Sequence, residues 1–220
     1  MSQVDAIVLL SGGLDSAANL ALAHDQGWKC FGLTVNYGQR AWQSERKAAH
    51  EIAVEYGTPV RELDLQFVGE LGGSALTDTA RIVPEIARDD LDAMPVISQT
   101  ADAVWVPNRN GVLVNCAAAW AEAVAAPRVL IGFNREEAAT FPDNSRAFME
   151  SMNRTLAYST RGKVRVESLI VDQSKPETVR RLRELSKPFP FEKVWSCYLS
   201  GSRMCARCES CQRYLRAVAS

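Results

Sequence analysis

The 220-residue chain has no excess of either charge: 25 Lys and Arg stand against 26 Asp and Glu, for a net charge of −1. No global field therefore draws in nucleic acid or an anionic membrane surface. No apolar run approaches membrane-spanning length. The N-terminus does not combine basic residues, an apolar core and a cleavage site, so the expectation is a cytoplasmic protein. Also missing are a Gly-Lys-Ser/Thr loop and a Gly-x-Gly-x-x-Gly fingerprint. Without a loop lysine to reach the β- and γ-phosphates, γ-phosphoryl transfer is disfavoured. Only two histidines occur, His24 and His50. Both lie in helical patterns without a partner motif and read as structural or solvent-facing.

What is present begins with Ser11-Gly12-Gly13-Leu14-Asp15-Ser16, after the apolar run Ala6–Leu10 and before the alanine-rich stretch 17–23. That order is strand, loop, helix. It delivers free backbone N–H groups at a helix N-terminus, where an anion is favoured. Adjacent glycines let the chain wrap an anion without Cβ clashes. Ser11 and Ser16 can add hydroxyl donors, and Asp15 can orient the loop or help hold a cation. The hexapeptide resembles the pyrophosphate loop of ATP pyrophosphatases, which cleave ATP between the α- and β-phosphates.

A hydrophobic content of 47% and a charged content of 23% suit an ordinary globular protein. The patterning predicts strands at 30–35, 60–65, 128–132 and 164–168, with helices at 41–56, 111–125 and 176–185. Alternating strands and helices imply a doubly wound α/β fold with a mostly parallel sheet and helices on both faces. Between Phe67 and Val104 the pattern lapses, and Pro84, Pro95 and the acids Asp89, Asp90 and Asp92 predict an irregular excursion. The domain expectation is an ATP-handling unit over 1–190 and a small metal-binding tail over 191–220.

The tail carries Cys197, Cys205, Cys208 and Cys211, two overlapping Cys-x-x-Cys turns plus one cysteine upstream. This spacing predicts a tetrahedral structural Zn²⁺, with an iron–sulfur cluster as the alternative. Arg203, Arg207, Arg213 and Arg216 flank the cysteines and would offset the thiolate charge. Cys30 and Cys116 lie in apolar contexts and read as packed thiols.

Taken together, these features resemble the QueC family of 7-cyano-7-deazaguanine synthases over nearly the whole chain. The resemblance rests on the loop 11–16, Tyr37-Gly38-Gln39-Arg40, Gly72-Gly73-Ser74-Ala75-Leu76-Thr77, Val106-Pro107-Asn108-Arg109-Asn110, Lys175-Pro176-Glu177 and Trp195-Ser196-Cys197-Tyr198 before the cysteine turns. It implies ATP-dependent conversion of 7-carboxy-7-deazaguanine and ammonia into 7-cyano-7-deazaguanine, through an adenylated carboxylate and an amide. It also implies ATP with Mg²⁺, a homodimer, and no nucleic-acid partner. On this resemblance Ser11, Gly12, Gly13, Leu14, Asp15 and Ser16 hold the phosphates, and Leu33 and Val35 meet the adenine. Asp15, Arg109 and Lys175 act on the reacting charge, while Tyr37, Gln39, Asn110, Asn134, Glu137 and Asp143 bind substrate. Plainer alternatives stand beside three of these: Arg109 as a carbonyl cap, Lys175 as a solvated helix start, Tyr37 as core packing.

One segment departs from the family pattern. The family's carboxylate is lengthened at Glu137. Its tyrosine-serine-glycine has become Ala138-Ala139-Thr140, and its cysteine-arginine has become Asn144-Ser145. Arg135 or Arg146 could replace the lost guanidinium. A related ligase that adenylates another carboxylate or stops at the amide, and a tRNA-thiolating enzyme with the same loop, remain the alternatives.

Overall fold

The computed structural model describes residues 3–220. Five strands, β1 (Ala6–Leu9), β2 (Cys30–Asn36), β3 (Val60–Asp64), β4 (Arg128–Leu130) and β5 (Arg165–Glu167), form one sheet in the order β3-β2-β1-β4-β5. All four pairings are parallel. The expected doubly wound sheet is therefore present, with its strand order reversing between β1 and β4.

β1 shows why both faces need cover. Ala6, Val8 and Leu10 point into one apolar cluster, and Ile7 and Leu9 into the other. The first cluster is closed by α1 (Leu14–Asp25), α2 (Trp42–Glu55), α7 (Lys175–Arg183) and α8 (Glu209–Val218). The second is closed by α5 (Arg109–Ala123) and α6 (Arg146–Ser159). Tyr214 and Ala217 of α8 lie in the same cluster as α1, so the cysteine-bearing tail packs directly onto the main core.

The 67–104 stretch is irregular over 71–93 as expected, apart from a 3-10 turn at Arg88–Asp90, but its two ends correct the expectation. It contains a short α3 (Phe67–Glu70) and an eleven-residue α4 (Met94–Val104) that buries Ile97, Thr100, Ala101 and Val104. Pro95 sits in the first turn of α4, where a missing N–H costs nothing. It was a helix-start signal, not a breaker. The stretch is also pinned to the tail: Ile86 N–H donates to the Arg207 carbonyl at 3.0 Å. Helix α6 had no counterpart in the sequence reading. No helix among the described residues is long and apolar enough to cross a membrane.

Candidate active site and metal centre

The cleft lies at the carboxyl ends of β1, β2 and β4, at the point where the strand order reverses. Its floor is the loop 11–16. Gly12 has φ +81, and a Cβ there would stand 2.6 Å from the Glu45 carbonyl oxygen. The start of α2 therefore rests on the loop itself. Ser16 Oγ donates to the Gly13 carbonyl at 3.0 Å, accepts from Ser11 N–H at 3.2 Å and lies 3.1 Å from Ser11 Oγ. Gly13 is the N-cap of α1 and has no side chain to occupy the first-turn N–H groups. They are left to bind an anion, and the loop is already set in shape.

Opposite the loop is Lys175, at the first position of α7 and nearly fully buried. Its ammonium donates to Asp15 Oδ2, and to Glu137 Oε1 at 2.7 Å. Burial pushes the Asp15 carboxyl up to about 6, against the opposing pull of Lys175. The same carboxylates push Lys175 up, against its own burial, so it stays charged. The solvated-lysine alternative is excluded. Asp15 Oδ1 is buried and has no partner. A free carboxylate oxygen beside a phosphate loop suits Mg²⁺, which commonly takes one or two carboxylates plus substrate phosphates.

The other end of the cleft is aromatic and amidic. Arg109 lies over the Tyr37 ring, with 5.5 Å from guanidinium carbon to ring centroid, and donates to its hydroxyl at 3.4 Å. Both line the cleft together with Asn110, Phe141, Asn144 and Tyr198. Gln39 accepts from Tyr37 N–H at 2.8 Å and donates to Glu45 at 2.9 Å. Burial pushes the Glu45 carboxyl up to about 7. Leu33 and Val35 line the cleft from β2.

Two of the predicted residues stand behind the wall. Asn134 is fully buried and accepts from Glu137 N–H at 2.9 Å, which shapes the loop carrying Glu137. Asp143 offers its carbonyl to Asn110 at 3.3 Å. Neither side chain is part of the cleft lining. The compensating arginines are also elsewhere. Arg135 pairs with Glu177 and Arg146 with Asp172, both at the surface. Arg109 is the arginine that lines the cleft.

Glu45 and Gly132 were not anticipated. A Cβ on Gly132 would lie 3.0 Å from Ser16 N, so the glycine lets the end of β4 lie against the loop. Its place straight after a buried strand was the available signal. Glu45 carried none, because it reads as an ordinary polar position on α2.

The four cysteine sulfurs of the tail lie within 4.8 Å of one another. Tetrahedral zinc with bonds of about 2.3 Å holds its sulfurs about 3.8 Å apart, and Cys205 and Cys211 stand at 3.8 Å. A multi-iron cluster assigns its cysteines to different irons and would spread them further. Backbone N–H groups of Leu199 and Cys205 point at Cys197 Sγ, and those of Arg207 and Cys208 at Cys205 Sγ, at 3.3–3.5 Å. These donors suit thiolates and a single tetrahedral ion. The flanking arginines are a correction: Arg207 pairs with Glu85, Arg213 with Glu136 and Glu209, and Arg216 with Glu136 and Asp92. For these three arginines, carboxylates rather than the sulfurs take the charge.

Comparison with known proteins agrees with this geometry. A 7-cyano-7-deazaguanine synthase of Pelotomaculum thermopropionicum is 46% identical over 212 residues, covering 96% of this chain and 95% of that protein. One from Bdellovibrio bacteriovorus is 44% identical over 216 residues, covering 97% and 92%. Among solved structures, the NMN synthetase of Francisella tularensis matches with a TM-score of 0.50 at 12% identity, over 93% of this chain and 71% of that one, a likeness of fold alone. The profile of the family described as queuosine biosynthesis protein QueC matches residues 5–220, and the chain belongs to that family.

Proposed function

We propose that this protein is a 7-cyano-7-deazaguanine synthase, an ATP-dependent enzyme that makes the nitrile from 7-carboxy-7-deazaguanine and ammonia. The observation that carries the reading is a buried lysine, Lys175, paired directly with Asp15 of a preorganised phosphate loop, at one end of a cleft whose other end holds Arg109, Tyr37 and Asn110.

In this reading the substrate carboxylate attacks the α-phosphorus of ATP, and pyrophosphate leaves. The N–H groups at the start of α1 and the hydroxyls of Ser11 and Ser16 take up the charge growing on the leaving group. Lys175 neutralises the phosphate chain, and Asp15 with its free oxygen would hold Mg²⁺, which supplies further charge neutralisation. Leu33 and Val35 seat the adenine. Arg109 pairs with the carboxylate or the acyl-adenylate, while Tyr37, Gln39, Asn110 and Glu137 frame the base. Asn134 and Asp143 serve from behind, by holding the Glu137 loop and Asn110. Ammonia then displaces AMP with loss of a proton to give the amide. The amide oxygen then attacks the α-phosphorus of a second ATP with release of pyrophosphate, and loss of AMP and protons leaves the nitrile.

The tail 191–220 acts as a zinc-binding segment on the 1–190 domain, with zinc as its structural ion. The same reading makes the enzyme a cytoplasmic homodimer. Purified protein given ATP, Mg²⁺, ammonia and 7-carboxy-7-deazaguanine should release AMP and pyrophosphate and yield the nitrile by mass. Amide without nitrile would move the assignment to a ligase that stops early. Absence of both AMP and product would refute it.

A further inference from the structure

Two neighbouring glutamates grip Lys175 at its two ends. Glu137 takes the ammonium at 2.7 Å, and Glu136 Oε2 accepts from the Lys175 backbone N–H at 3.1 Å. That N–H is one of the unpaired donors at the start of a helix, where a carboxylate is favoured. The other Glu136 oxygen, Oε1, accepts from Arg213 at 2.7 Å and from Arg216 at 2.8 Å, both on α8.

Arg213 is itself fully engaged. It also donates to Glu209 Oε1 at 2.8 Å and to the Leu91 carbonyl at 3.3 Å. The second Glu209 oxygen accepts from Thr100 of α4 at 2.5 Å. Arg213 and Glu209 side chains are 5% and 3% exposed. Buried charges of this kind are costly unless the network is complete, and a hydrophobic patch would hold α8 at least as well. What a hydrophobic patch could not do is fix a backbone N–H at one position.

We propose that Glu136 is a positioning residue, held by Arg213 and Arg216, that sets where Lys175 stands and so tunes the affinity of the cleft for the phosphate chain. The α8 helix and the 67–104 stretch thereby act on the nucleotide end of the site without touching it. The proposal rests on the ATP-binding reading above.

Its test is the binding of ATP with Mg²⁺, by calorimetry, to the full metal-loaded protein. Arg213→Ala and Glu136→Gln should weaken binding by about tenfold or more. Arg213→Lys should fall between them and the parent, because one ammonium cannot reach Glu136, Glu209 and the Leu91 carbonyl together. Arg216→Ala, at a more exposed position, should weaken binding by a smaller factor, and it carries the test if Arg213→Ala does not fold. In a Lys175→Ala background the same substitutions should change the affinity by less than about twofold, while lowering Tm as much as they do in the parent. Equal weakening in both backgrounds, or unchanged affinity in the parent background, would overturn the proposal. ATP binding by none of the proteins, the parent included, would instead remove the functional reading and this proposal with it.

Discussion

The phosphate loop and the cysteine cage are both short motifs, yet they are built in opposite ways. The loop is shaped by backbone pressed between elements: Gly12 lies under α2, Gly132 lies against Ser16, and two serines tie the turn closed. Its donors are aligned by the sheet and need no bound ion to stay so. The cage rests on a small apolar cluster of Ala75, Val83 and three of its own cysteines. Four sulfurs so close together are held apart only by protons or drawn together by an ion. Packing organises the first region, whereas the second is arranged so that a ligated ion could organise it.

The largest expected effect follows from breaking the cage. Cys208→Ser, or a strong chelator, should remove the metal and the order of the tail, since a structural zinc contributes roughly 10 kcal/mol or more of folding free energy. Because α8 shares its core with α1, the sheet should melt in the same transition. Metal analysis with circular dichroism on heating tests this, and a sheet melting unchanged without the metal would show two independent units.

Next is the loop. Gly12→Ala adds a Cβ where there is no space and where φ is positive, a cost of about 3 kcal/mol or more. Denaturant unfolding should show the loss with metal content intact. Loss of metal along with it would mean the two regions are not separately organised.

A third effect is pH dependence of the loop side of the cleft. Asp15, pushed up to about 6, and Glu45, pushed up to about 7, keep protons in the folded protein that an unfolded chain releases near pH 4. The folded state binds more protons at these two sites across that window, so their contribution to stability falls as pH rises from about 4 to about 7. Glu45→Gln should flatten the upper part of this slope in denaturant midpoints. An unaltered slope would assign it to other groups.

The smallest effect returns to the cage. Ala206, in the first Cys-x-x-Cys turn, has φ +59. Ala206→Gly should relieve that conformation and raise Tm, by roughly 0.5–1 kcal/mol of stability. A drop in Tm would mean that the Ala206 methyl has a packing role.

Much of this molecule was legible as text. Ala6–Leu10 and the loop after it are contiguous, and the glycines and hydroxyls that permit this turn all lie within its six residues. The cysteine spacing was equally local. Helix α4 is hidden in the sequence for a physical reason: Pro95 reads as a breaker, but at the first turn of α4 its missing N–H is harmless. For the flanking arginines, proximity to the thiolates in sequence does not translate into pairing in space. Apart from Glu209, four residues from Arg213 on the same helix, their partners Glu136, Glu85 and Asp92 come from segments 77–124 residues away along the chain.

Motif chemistry, the parallel α/β class and the family are thus accessible from local patterns, because hydrophobic period, turn residues and ligand spacing act over a few neighbours. The grip on Lys175, the raised carboxyls of Asp15 and Glu45, and the placing of Asn134 and Asp143 behind the wall rather than in it were not. Each depends on which distant groups share a low-dielectric space, and long-range packing alone sets that.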